Sequence, residues 1–136
     1  MKPVMSIPVR IGSVRIPVYF SLEQKPIQDV IHKKHGVRWE IMDGVLGEAT
    51  TSEMLSAAPG KHFAAIWVSG VEAKNALSLV HTINHEVGHL ERQIPKIYGE
   101  EDAGEETQIR IGDFLREKIY DYLGVFITAR GLTLYD

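Results

Sequence analysis

The sequence predicts an α+β domain: a small mixed or antiparallel sheet, a helix carrying His85-Glu86-Val87-Gly88-His89, and a following helix that carries glutamates. Three observations predict it. Short β-branched runs divided by turn residues fill much of the first half of the chain. Apolar residues recur at helical spacing from about 71 to 94 and again from about 104 to 123. With 136 residues, 44% of them hydrophobic, there is material for one core, so a single domain over 1–136 is expected. No repeat, low-complexity tract or linker divides it.

"SIPVRI" and "VRIPVYF" flank Gly12-Ser13 and read as two strands joined by a tight turn. Pro8 and Pro17 each remove a ladder donor, which places these strands at or near an edge. "SLEQKPIQDVIHKKHG" sets Ile27, Val30 and Ile31 at helical spacing and stops at Gly36, a short helix. "VRWEIMDGVLGEATT" alternates Val37, Trp39 and Ile41, turns at Asp43-Gly44 and continues as a second, weaker strand. "SEMLSAAPGK" reads as a loop or one helical turn, and "HFAAIWVSG" as a strand of about five to seven residues ended by Gly70. In the helix over 71–94, Val80, Ile83, Val87, Leu90 and Ile94 share one narrow arc that must face the sheet, and Pro95 is expected to end it. After the polar segment "KIYGEEDAGEE", the helix over 104–123 carries Ile109, Ile111, Leu115, Ile119 and Leu123. The tail, "GVFITARGLTLYD", is expected to add a strand or a hairpin around Gly131.

Composition narrows the chemistry. A net charge of -3, from 15 basic and 18 acidic residues mixed along the chain, gives no basic stripe for phosphates, so no direct nucleic-acid binding is expected. There is no cysteine, which excludes disulfides, thiolate zinc sites and cysteine nucleophiles and leaves imidazole and carboxylate as metal ligands. "MKPVMSIPVRIGSVRIPVYF" is broken by prolines and arginines, so it reads as neither a signal h-region nor a membrane span, and a cytoplasmic protein is expected. The oligomeric state is not indicated.

The stretch "NALSLVHTINHEVGHLERQI" carries the chemistry. A bare HExxH pattern arises by chance in roughly two chains per hundred of this composition, so its context decides. The helix is predicted independently of the motif, and both histidines fall opposite its apolar arc. At i and i+4 the two residues stand about 6 Å apart on one face, so their imidazoles can converge on one tetrahedral ion. Glu86 is turned by about 100° from His85, beside such an ion, where a general base is needed. Zinc would lower the pKa of water to about 7 and polarise a carbonyl. His81 extends the stripe but lies about 12 Å along the axis from His89, too far to share an ion. It reads first as a merely exposed residue, and only then as one for the substrate side or the surrounding shell. His32, His35 and His62 have no partner at ligand spacing and read as surface residues.

A catalytic zinc needs a third ligand and an open position. Glu100, Glu101, Asp102, Glu105 and Glu106 are the candidates. Glu105 ranks first, because it shares a helical face with Ile109, Gly112 and Ile119, whereas Glu106 shares one with Arg110, Asp113 and Glu117. Gly112 would let the two helices approach closely. Tyr98 is the nearest candidate for an oxyanion partner, with Tyr120, Tyr122 and Arg116 as others.

On "HEVGHL", "FAAIWVS" and "GEETQIRIGDFL" the chain resembles the zincin metallopeptidases, in particular the small gluzincin-like proteins of the ImmA/IrrE or minigluzincin type. The resemblance covers roughly residues 37 to 123. It implies a zincin-like fold with "FAAIWVS" as the edge strand, zinc bound by His85, His89 and Glu105, and Glu86 as catalytic acid/base. The metzincin continuation is missing, since Arg92 and Pro95 stand where its glycine and third histidine would be. The function expected is a zinc-dependent endopeptidase acting on an extended segment of a protein partner. Its alternative is a zincin-fold regulatory or interaction module that binds metal without efficient proteolysis.

Overall fold

The computed structural model describes residues 2–58, 60, 62–70, 73–97 and 104–132. Gly12, with φ of 60°, turns the chain between β1 (Val4–Ile11) and β2 (Val14–Ser21). Val9 stands opposite Ile16 and Arg10 opposite Arg15 in this antiparallel pair. α1 (Gln24–His35) follows and ends on Gly36, whose φ of 71° suits a residue without Cβ. β3 (Gly47–Thr51) and β4 (Ala64–Val68) complete the sheet before α2 (Ala76–Ile97) and α3 (Glu105–Arg130).

The sheet order is β1-β2-β4-β3, with β2 and β4 parallel and the other two pairs antiparallel. The domain is therefore α+β with a small mixed sheet. One sheet face presents Val9, Ile16, Val18, Phe20 and Ile66 to Ile83, Leu90 and Ile94 of α2 and Leu115 and Ile119 of α3. Each of these fully buried side chains contributes about 1.5–3 kcal/mol. The opposite face, with Tyr19, Ala65 and Trp67, packs against Ile27 and Ile31 of α1, and Trp39 and Phe63 join the same cluster.

Several expectations are corrected. "FAAIWVS" is not at an edge: β4 lies between β2 and β3 and all five of its residues are buried. A continuous apolar run without alternation marks a strand covered on both faces. The edge falls to β3, "GEATT", which is short and polar, as exposed edges tend to be. Residues 37–41 form no strand. Trp39 is buried because its indole N–H donates to Glu48 Oε2 at 2.6 Å and its carbonyl accepts from Gln28 Nε2 at 2.9 Å. α2 begins at Ala76, where the Asn75 side chain accepts the N–H of Ser78 at 2.8 Å, a side-chain cap. It runs through Pro95, which in the last turn sacrifices only the bond to the carbonyl four residues back. α3 continues to Arg130, so the described part of the tail is helix and not hairpin, and Gly131 caps it in the left-handed region. Ile109, expected inward, is 49% exposed, while Ile111 takes the inward position. No described helix is long and apolar enough to cross a membrane.

Candidate metal centre

Burial of Ile83, Val87, Leu90 and Ile94 against the sheet fixes how α2 is rotated, and this turns His85 and His89 outward. Their Nε2 atoms stand 3.2 Å apart with the rings nearly perpendicular. Two nitrogens each about 2.0–2.1 Å from a tetrahedral ion would be separated by about 3.3–3.4 Å, close to the separation of this pair. The same separation suits an N–H···N bond between the rings, with the tautomers deciding which one donates.

Glu86 is only 6% exposed, between the imidazoles and β3. Burial raises its pKa above the ordinary glutamate value; the nearby His85 and His89 oppose that shift and the carboxylate of Glu48 adds to it. Gly47 is what lets β3 come so close. A Cβ there would meet Thr82 Cγ2 at 2.8 Å and Glu86 Cγ at 3.4 Å.

The ladder between β3 and β4 sets which groups β3 leaves open. Ser52 N–H donates to Phe63 and Ser69 N–H to Leu46, each at 2.8 Å. These bonds make 46/69 and 52/63 hydrogen-bonded pairs, and by alternation 48/67 and 50/65 as well. Ala49, in the non-bonded pair between them, therefore turns its N–H and C=O toward the open edge. A cleft of about 460 Å³ adjoins the start of β3, with Leu46, Val68, Lys74, Ser78 and Thr82 among its walls.

On the other flank α3 packs antiparallel to α2 through polar contacts. Asn84, next to His85, accepts from Arg116 Nε at 3.1 Å and from the Tyr120 hydroxyl. Arg116 also pairs with Glu91 at 3.0 Å, and the absence of a side chain at Gly112 makes room for that carboxylate. Two candidate oxyanion donors, Arg116 and Tyr120, are thus held on the side of α2 that faces α3. Tyr122 is elsewhere, donating to the Lys2 carbonyl at 2.7 Å.

Glu105 is the first residue of α3 and is exposed, as is Glu106. It lies seven residues, about 10 Å along the axis, before Gly112 and so beyond Glu91, away from His85. Among the described residues no third His, Asp or Glu joins His85 and His89 in one group. Tyr98, Glu100, Glu101 and Asp102 lie outside the described residues. His81 is exposed one turn before His85. No sequence signal marks Glu48 or Asn84, because neither belongs to a motif and both make their contacts across elements. His35 is not a plain surface residue: its Nε2 is 2.9 Å from the Tyr19 hydroxyl and its ring stacks on Phe63. Compared with known proteins, the chain matches no family model, no curated protein and no solved structure.

Proposed function

We propose that the protein is a zinc-dependent endopeptidase with a zincin-like site. The observation that carries this reading is the 3.2 Å spacing of the His85 and His89 nitrogens, with a buried glutamate one residue on from His85. His85 and His89 would hold the ion, and Glu105 is carried as third ligand on the zincin resemblance alone, since among the described residues it stands apart from the pair. When bound, zinc supplies a Lewis acid that polarises the scissile carbonyl and acidifies water. Glu86 accepts the proton of the attacking water and returns it to the leaving amine, and a pKa raised by burial suits the second transfer. Arg116 and Tyr120, both hydrogen-bonded to Asn84 of α2, are the proposed donors for a developing oxyanion, with Tyr98 as the alternative. The substrate is an extended segment of a protein, paired to the outward groups of Ala49, with His81 and the cleft at Leu46 and Thr82 receiving its side chains.

A second reading is favoured by the separation of Glu105 from the histidines: a metal-dependent interaction module that does not cleave. One experiment divides the two. Unfolded protein substrates are incubated with the purified chain, with chelator and after zinc is restored, and fragments are read by mass spectrometry alongside metal analysis. Zinc-restored cleavage supports the peptidase. Bound zinc without cleavage supports the module, and a protein that takes up no zinc removes both.

A further inference from the structure

Away from the histidines, between the β1–β2 turn and α3, lies a cleft of about 550 Å³, in the size range of small-molecule sites. Three arginines from three elements line it: Arg10 of β1, Arg15 of β2 and Arg110 of α3. The rest of the wall is largely apolar, with Pro8, Val9, Ile111 and Phe114. No carboxylate is among the lining residues, and the two ion pairs found among the described residues, Lys25–Asp29 and Arg116–Glu91, involve none of these arginines.

Such a placement costs stability by itself. Arg10 and Arg15 are direct cross-strand partners, and like charges set opposite each other in an antiparallel pair repel. A third guanidinium on the same cleft adds to the repulsion. The chain has more acidic than basic residues, yet none of the described acidic residues lines this wall. All three cations are arginine, whose planar fork binds phosphate or carboxylate oxygens in pairs.

We propose that this cleft is a binding site for a small phosphate-bearing molecule, its phosphate held by Arg10, Arg15 and Arg110 and its apolar or aromatic body laid on Phe114 and Ile111. A phosphate monoester carries about -1.5 to -2 charges at neutral pH, a closer match to three guanidinium groups than a single carboxylate. Strand pairing is not the mode of binding at this edge. Pro8 faces Pro17, neither of which has an N–H, so this is not a bonded pair and the outward donor at Pro8 is missing.

The test is calorimetric titration of the full chain at low ionic strength with inorganic phosphate, phenyl phosphate and benzoate, and with a short single-stranded oligonucleotide. Saturable one-to-one binding is expected, tightest for phenyl phosphate and weakest for benzoate. Arg15→Gln and Arg110→Gln should each weaken phenyl phosphate by about tenfold or more. Arg110→Lys should recover only part of that loss, since an ammonium cannot form the paired bonds. Phe114→Leu should weaken phenyl phosphate and leave inorganic phosphate unchanged. The arginines are exposed, so these variants keep the fold, and melting curves verify it. Absence of saturable binding, or binding indifferent to Arg110→Gln, overturns the proposal and leaves the arginines as solvated charges guarding an edge. An oligonucleotide that outcompetes phenyl phosphate overturns it in favour of a nucleic-acid surface.

Discussion

Glu86 carries two opposed demands in one side chain. Hydrolysis needs its carboxylate, whereas burial disfavours the charge and raises its pKa. Below the unfolded-state value of about 4.3 both folded and unfolded chains are protonated there and the residue is neutral to stability. Between that value and the raised folded one the unfolded chain ionises while the folded chain keeps its proton, so stability is lost across this window and the loss is complete once the folded chain ionises too. In chelator, Glu86→Gln is therefore expected to melt higher than the wild type at pH 7, with the gap narrowing toward pH 4; equal melting at both pH values would show that Glu86 is solvated. In zinc the same variant should keep the metal and lose hydrolysis by about 10²–10⁴-fold, as read by metal analysis and a peptide-cleavage assay. His85→Ala or His89→Ala should instead reduce the metal content from one zinc per chain to none, and a variant that retains it would place the site elsewhere. The outward direction of His85 and His89 was legible in the sequence because helical periodicity fixes direction, whereas the burial of Glu86 was not, because it depends on β3. Glu48 and Asn84 were not legible, since their relevance depends on which strand and which helix lie beside α2.

At the level of elements, the two central strands of the sequence exchanged places. Periodicity identifies a strand but not its neighbours, and the edge was assigned to β4 because it leads into the metal helix. The test of edge and interior is a pair of proline variants. Ala49→Pro removes an outward N–H and no ladder bond, so folding and zinc content should survive while peptide cleavage falls. Ala65→Pro removes a bond inside the sheet and leaves a buried carbonyl unpaired, at a cost of about 1–3 kcal/mol, and should lower the melting temperature. Equal destabilisation by both would mean that β3 is covered. The register of α3 was legible for Ile111, Leu115, Ile119 and Leu123 and wrong for Ile109, because the apolar stripe is narrower than the sequence suggests. That error touches Glu105, which was ranked on the same face. Zinc affinities of Glu105→Ala and Glu106→Ala decide the matter: the proposed ligand set requires the larger loss at Glu105, and a larger loss at Glu106 would overturn it.

Over the whole molecule, the α+β class followed from composition and period, whereas which strands pair in parallel did not, since a parallel pair between distant segments leaves no local mark. Zinc bound only by the folded chain should stabilise it by about 2.7 kcal/mol at a hundredfold excess over Kd. That corresponds to a rise in Tm of roughly 10 °C, removed by chelator; a melting curve unmoved by zinc would rule out binding at that concentration. The parallel pair has a further consequence. Among the described residues, Val18 to Ser21 meeting Ala64 to Trp67 is the only sheet seam between the part of the chain before residue 37 and the part after 46. The intervening segment, with no strand or helix of its own, is thus a natural point at which to divide the protein into two complementing fragments. The histidine pair and Glu86 would travel whole with the second fragment. The arginine cleft would be split between them, Arg10 and Arg15 on one piece and Arg110 on the other, so it would exist only after reassembly.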